Sequence, residues 1–442
     1  MKKLLAITLI FVLCISVFSV AMAETPAPGG PFNSAFRVQN LETTTATCSY
    51  QFFDASGTAA YTSASVSVAP GDSLYVYVPN LAVTSGSYSA VVTCDKKAAA
   101  VVNFSDPNSG ASHSGVAEPG MAWYAPGIYD NYFNYYSNVY VQNASSAPVT
   151  VTLEIFAPGS STPVLTETRT NVPPYATVTF EQEGKTQLVN NQFYSAKITG
   201  TGDIAPIVNI YGRGPVLDQL YSYNPFKAGS LQAYAPLIMN NYYGYNTALV
   251  VQNIGASSAA VMVTYTNGHV SNHNVAAGAA VSIYTPSVTG LPSGNTLYGA
   301  TITSNQPIVV LVNESNAYNR AASYSGFTDG SAEVRAPIVM KNYYQYNSSV
   351  TCQNVGTAGT TMTIAYAGVT GSTTSPNILP SRTYSFYQPT DSVLSSVPIN
   401  FITSATITAA QPIVCVVNQD QNTGTLAVTN MDQLYAYNGI AP

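Results

Sequence analysis

Three histidines, a set of segregated cysteines and a recurrent group of tyrosines are the residues of this chain whose types and spacing could do chemistry. His269 and His273 share a face if their segment is a strand, because alternate strand residues point the same way. No carboxylate or cysteine lies near them in sequence to complete a metal site, and His113 stands alone, so exposed hairpin histidines are the simpler reading. Gly110–Gly115 reads GASHSG, which lacks the Gly-x-Ser-x-Gly spacing of a nucleophile elbow. The carboxylates are thinly spread and none recurs as a pair, so nothing favours the two-acid chemistry of glycoside hydrolysis. The expectation is a chain without metal, cofactor or catalytic residues, and not an enzyme.

Cys48 and Cys94 both fall in the first quarter of the chain, and Cys352 and Cys415 both in the last, two to each terminal unit. An even count in a secreted chain predicts disulfides. The spacings show no Cys-x-x-Cys, so metal ligation is the weaker reading. Closing such loops stabilises by about 4 kcal/mol on the chain-entropy account, an upper-end figure.

The aromatic stretches are the strongest binding candidates. They comprise Tyr132, Phe133, Tyr135 and Tyr136; Tyr242, Tyr243 and Tyr245; and Tyr343, Tyr344 and Tyr346, each set with Asn neighbours. Three roles compete. The rings can close a domain or seat it on its neighbour, with each hydroxyl satisfied at the rim. They can stack on sugar rings while Asn side chains bond hydroxyls. They can join one molecule to another.

The elements that position these residues repeat four times. Val-Gln-Asn occurs at Val38–Asn40, Val141–Asn143 and Val251–Asn253, and Cys-Gln-Asn at Cys352–Asn354, with offsets of 103, 110 and 101 residues. Ala125-Pro126, Ala235-Pro236 and Ala336-Pro337 each precede their tripeptide by 16 residues. A Val-Asn pair follows at Val102-Asn103, Val208-Asn209, Val312-Asn313 and Val417-Asn418. A period of this kind fixes the architecture before any single motif. The first copy is atypical: Ala27-Pro28 lies only 11 residues before Val38, and the aromatic stretch is missing. Terminal repeats commonly depart from the pattern.

Val, Ile, Thr and Tyr dominate each copy, which favours strands. In the third copy Thr247–Asn253, Ala259–Thr266, Ala280–Tyr284, Tyr298–Ser304 and Ile308–Asn313 read as strands, and Asn267-Gly268 as a tight hairpin. The prediction is an all-β chain of four tandem antiparallel β-sandwich, immunoglobulin-like domains of about 100 residues. Their bounds are 24–117 (with a shortened start), 125–225, 235–327 and 336–442. The connectors Ser105–Tyr124, Gly212–Tyr234 and Ala317–Arg335 read as linkers, with Trp123 inside one; recurring Tyr and Phe in them are compatible with order.

Residues 1–23 read as a secretory signal peptide: Lys2 and Lys3, an apolar run from Leu4 to Val20, and Ala21-Met22-Ala23 before the cut. No later segment has the ~18 apolar residues of a transmembrane helix. The mature chain carries 12 basic and 20 acidic side chains, with no basic patch for nucleic acid. Its neutral, tyrosine-rich polarity suits an extracellular or cell-surface location and offers little repulsion against self-association.

The pattern AP-x-x-M-x-NYY-x-YN…VQN resembles a repeat of uncharacterised secreted and cell-surface bacterial proteins. The resemblance covers most of residues 125–442 and is looser over 31–117. It implies an extracellular β-repeat protein and transfers no catalytic residue. The expectation is a secreted rod with a structural or adhesive role. The alternatives are a carbohydrate-binding array that recognises polysaccharide, and a subunit that assembles head-to-tail into a filament or surface layer.

Overall fold

The computed structural model describes residues 31–213, 219–317, 319–421 and 432–442. The signal-peptide segment and Tyr318 lie outside the described residues. The chain is all-β and its strands pair antiparallel.

The first repeat holds β1 (Asn33–Asn40), β2 (Ala46–Phe53), β3 (Ala59–Thr62), β4 (Val66–Val68), β5 (Ser73–Tyr77), β6 (Ser89–Cys94), β7 (Ala98–Ser105) and β8 (Gly110–Ser114). The second holds β9 (Gly120–Tyr129), β10 (Tyr135–Asn143), β11 (Val149–Phe156), β12 (Pro163–Val172), β13 (Thr177–Glu181), β14 (Phe193–Gly212) and β15 (Leu220–Tyr223). The third holds β16 (Ser230–Tyr242), β17 (Tyr245–Asn253), β18 (Ala259–Tyr265), β19 (Val270–Val275), β20 (Ala280–Tyr284), β21 (Leu297–Asn316) and β22 (Ala321–Ser325). The fourth holds β23 (Ser331–Lys341), β24 (Tyr346–Asn354), β25 (Met362–Tyr366), β26 (Ser372–Thr374), β27 (Thr383–Tyr387), β28 (Phe401–Gln421) and β29 (Leu434–Asn438).

One long strand organises each of the last three repeats. In the second, the first half of β14 pairs with β9 and β11, and its second half with β10 and β15. Strands β21 and β28 do the same. The expected break between Tyr298–Ser304 and Ile308–Asn313 is therefore absent: Pro307 stands inside β21. Its missing N–H costs little there, because it marks the point where the strand changes partners, and its carbonyl accepts from Ile254 N at 2.9 Å. In the first repeat the counterpart strand is split into β6 and β7, and among the described residues no strand takes the place of β9 beside β6.

The alternation of each strand fills a core between the two halves. Val139, Val141, Leu153, Ile155, Phe180, Ile198 and Val208 are buried in the second repeat. Trp123, expected in a linker, is buried in that core on β9, with its indole N–H donating to Gly120 O and Ile204 O. Cys48 pairs with Cys94 across β2–β6, and Cys352 with Cys415 across β24–β28. In the third repeat the place of Cys352 opposite Cys415 belongs to buried Val251 opposite Val310. An apolar pair fills there the core space that the disulfide fills in the fourth.

The connectors expected as linkers carry strands. β8, β15, β22 and β29 pack on one another in cyclic order, β8 on β15, β15 on β22, β22 on β29 and β29 on β8. Ser112–Ser114, Ser222–Asn224, Ser323–Ser325 and Ala436–Asn438 surround one small axial cavity. The predicted rod is corrected by this: the fourth repeat closes on the first and the chain forms a ring. The tail pairs inside its own repeat, Ile440 opposite Arg335, so it does not project as a free strand. A heterologous contact whose rotation closes gives a ring rather than a filament, and here it closes within one chain.

Candidate functional site

The repeated motifs divide into those that build the ring and those that face solvent. The Gln-Asn pairs build it. Asn40, Asn143, Asn253 and Asn354 are buried, and each Nδ2 donates to the carbonyl four residues on (Thr44, Ala147, Ser257, Ala358) at 2.7–2.8 Å. Each Oδ1 accepts the backbone N–H two residues on. The neighbouring glutamines reach across repeats: Gln252 Nε2 donates to Ala196 O at 3.3 Å and Gln353 Nε2 to Ala300 O at 3.4 Å. The turns that Gln39, Gln142 and Gln252 hold also receive a serine from the preceding repeat. Ser404 Oγ donates to Gly71 O at 3.0 Å, Ser89 Oγ to Tyr175 O at 2.5 Å and Ser195 Oγ to Gly278 O at 2.8 Å.

At one end of the axis stands a buried polar cluster. The Asp432 carboxylate accepts from Leu220 N at 2.7 Å, Ala321 N at 2.8 Å and Leu434 N at 3.3 Å, while Asp432 N donates to Asn108 O at 2.7 Å. All four repeats thus meet on one residue. The residue before three of the four axial strands reaches forward to the next repeat. Gln219 Nε2 donates to Arg320 O, the Arg320 guanidinium pairs with Asp420 and donates to Gln421 O, and Gln433 Nε2 donates to Asp106 O. Burial pushes the carboxyl groups of Asp432 and Glu314 up; Glu314 reaches about 8 even though Asn418 Nδ2 donates to it. Buried acids with raised pKa can mark reactive sites, but these hold the ring together through backbone and side-chain bonds between repeats.

The three aromatic stretches split by position. The third ring of each, Tyr135, Tyr245 and Tyr346, donates its hydroxyl to Gln219, Asp420 and Gln433 of the axial cluster. The first ring, Tyr132, Tyr242 and Tyr343, is half-buried, and burial pushes the hydroxyls of Tyr132 and Tyr242 up. Tyr343 serves the junction with the first repeat, where Tyr75 is pushed up to about 12 by burial and by the neighbouring Tyr343 hydroxyl. Tyr136 is half-buried and stacks on Tyr211 with centroids 6.0 Å apart.

The second ring of each stretch is different. Phe133, Tyr243 and Tyr344 are 63%, 61% and 66% exposed. Each is the first of two central residues of a tight hairpin turn, closed by Tyr132 opposite Tyr135, Tyr242 opposite Tyr245 and Tyr343 opposite Tyr346. Such turns need φ above zero at both centres and normally use Asn-Gly. Here φ is +49°, +47° and +48° at the aromatic residue. A bulky residue in that region costs of order 1 kcal/mol or more. Each strained amide is anchored by an asparagine from the segment leading into the long strand. Phe133 N donates to Asn191 Oδ1 at 3.2 Å, Tyr243 N to Asn295 Oδ1 at 3.1 Å and Tyr344 N to Asn400 Oδ1 at 2.8 Å. Each exposed ring meets its half-buried neighbour edge-on, with centroids 4.8, 4.8 and 4.9 Å apart.

Because Tyr135, Tyr245 and Tyr346 all turn to the Asp432 end of the axis, the three hairpins rise from that same rim. The anchoring asparagines escaped the sequence reading, since they follow the tips at irregular separations of 58, 52 and 56 residues. Among the described residues no three of His, Cys, Asp and Glu come together in a way that could hold a metal, and no helix is long and apolar enough to cross a membrane.

No protein-family model matches this chain, and no curated protein matches it. Among solved structures it is similar to the crystal structure of Thermotoga maritima 1070, with 17% identity over 22% of this chain and 94% of that chain, at a TM-score of 0.20.

Proposed function

We propose that this chain is a secreted, non-enzymatic adhesive protein of the cell surface, whose contact face is the rim of the ring that carries Phe133, Tyr243 and Tyr344. In this reading the repeats are four immunoglobulin-like β-sandwich domains, as the sequence pattern suggests, and the family is that of the uncharacterised secreted bacterial β-repeat proteins. The two disulfides are compatible with an oxidising, extracellular setting. One observation carries the proposal: the same strained, asparagine-anchored turn presents a solvent-exposed aromatic ring three times on one face. Strain kept at equivalent positions, where Gly or Asn would remove it, points to a use for the side chain. Three weak contacts on one rigid body give avidity beyond any one of them.

The test is co-sedimentation of residues 24–442 with bacterial cell envelopes. The wild-type chain is expected to pellet with them, and the Phe133→Ala/Tyr243→Ala/Tyr344→Ala variant to bind at least about tenfold more weakly, as loss of three linked contacts implies. Equal binding by the two proteins would remove the rim from the account.

A further inference from the structure

The third repeat differs from its sisters beside the tip. An open groove of about 560 Å³ runs between the hairpin of Asn240, Asn241 and Asn246 and the loop that follows β20, from Tyr284 to Ser293. That volume lies within the range of small-ligand sites. No lining residue is charged. Tyr284, 44% exposed, lines it on the loop side, and Tyr243, 61% exposed, stands at the tip of the hairpin whose Asn241 and Asn246 form the other wall. The amides of Asn241 and Asn246 and the hydroxyls of Thr289 and Ser293 supply donors and acceptors along the walls.

The groove is built before any ligand arrives. Asn240 is buried and its Nδ2 donates to Leu291 O at 3.0 Å and Pro292 O at 3.3 Å, which ties hairpin to loop. Thr285 Oγ1 donates to Met239 O at 2.6 Å and Thr247 O at 3.0 Å, a second tie between the loop and the strands of the hairpin. The sister repeats carry charge at the position of Asn240: Asp130 in the second, bonded by Gly184 N, and Lys341 in the fourth, donating to Leu394 O. The fourth repeat shares the pair of exposed rings, Tyr344 and Tyr387, so what sets the third apart is the uncharged Asn240 in place of Lys341.

We infer that this groove binds a neutral oligosaccharide. The apolar face of a sugar ring suits a tyrosine face, and its equatorial hydroxyls suit amide and hydroxyl partners that carry no charge. An anionic ligand would find no counter-charge. A proline-rich peptide also packs on aromatic grooves, but it presents few donors to the asparagine and threonine side chains here. The inference rests on the rim as a contact face and adds the ligand class of one tip.

The experiment is isothermal titration of residues 24–442 with cellohexaose, xylohexaose, chitohexaose and maltohexaose, with trigalacturonate as the charged probe and a decaproline peptide as the alternative. At least one neutral sugar is expected to bind. Tyr243→Ala and Tyr284→Ala are each expected to weaken it about tenfold, the loss of one ring contact, and Met121→Ala, at an exposed side chain that belongs to neither the tips nor the groove, to leave it unchanged. Both tyrosines are substantially exposed, and unfolding curves matching wild type confirm that the variants fold. Binding of none of the four neutral sugars, binding of decaproline or trigalacturonate in their place, or binding indifferent to Tyr243 and Tyr284 overturns the inference. If that occurs while envelope binding still depends on the three tips, the sugar assignment falls and the rim stands. If envelope binding is also insensitive to the tips, both fall.

Discussion

The hydroxyl of Tyr437 donates to the carbonyl oxygen of Ile338 at 2.6 Å and accepts the N–H of the same residue at 3.0 Å. This one contact explains two motifs at once. The Ala-Pro landmark forces a bulge into β23, where pairing with β28 skips from Ala336 to Val339 and leaves Ile338 without a ladder partner. The axial strand supplies the missing partner. Tyr223 does the same for Gly127 and Tyr324 for Leu237. In the first repeat, where no such bulge is described, His113 stands at the tyrosine position.

Removing that hydroxyl strands two buried backbone groups. Tyr437→Phe is therefore expected to cost about 1–3 kcal/mol, the penalty for leaving buried polar groups unpaired. Chemical denaturation of wild type and variant measures it. A loss below about 0.5 kcal/mol, within the ordinary range of neutral substitutions, would mean that water does the work of the tyrosine.

The fourth repeat lacks one bond that the other three make. Ser112, Ser222 and Ser323 donate to Asn103, Asn209 and Asn313 Oδ1 at 2.7, 2.8 and 2.7 Å. Ala436 takes the serine position, and Asn418 Oδ1 has no partner among the described residues. Ala436→Ser is expected to stabilise the protein by about 1 kcal/mol. A thermal scan that shows no gain would indicate that the axis cannot admit the added oxygen.

Glu314 gives a pH signature. Its folded carboxyl is raised to about 8 by burial, from an ordinary value of 4.5. The native state thus holds a proton that the unfolded chain releases, so stability falls as pH rises through the window from about 4.5 to 8. Glu314→Gln should flatten that fall, and Asn418 Nδ2 should still find an amide oxygen. Melting temperatures across the window test this; the same slope in both proteins would contradict it.

The tips predict a trade between stability and binding. Tyr344→Gly removes the side chain from a φ of +48°. It is expected to leave stability unchanged or raise it by about 1 kcal/mol, because glycine occupies this region without strain, while envelope binding declines. Loss of stability instead would show that the ring is there for packing.

The repeat, the all-β build and the central strands of the third repeat, β17, β18 and β20, could be read in the sequence because each rests on local pattern: matching landmarks, alternating Val and Thr, and the Asn267-Gly268 turn. The ring could not. It depends on Gln219, Arg320 and Gln433 reaching into a neighbour, and on Asp432 gathering N–H groups from Leu220 and Ala321. Gln219 and Gln433 open a repeated string, QLY-x-YN at 219–224 and 433–438, but Arg320 and Ser109 take that place in the third and first repeats, and the letters do not tell that the side chain reaches into a neighbour. The connectors read as linkers because their strands are short and rich in Ser, Tyr and Asn; their burial comes from other repeats. The tyrosine stretches were legible as a set. Their division into axial, half-buried and exposed rings follows from the turn geometry, which spacing alone does not reveal.

Small-angle X-ray scattering on residues 24–442 tests the closed ring most directly, and on that ring depends the claim that three aromatic tips share one face. The account predicts a compact particle with a radius of gyration near the globular value of about 22 Å for this length. A value of roughly 40 Å, as four sandwiches in a line would give, would contradict it.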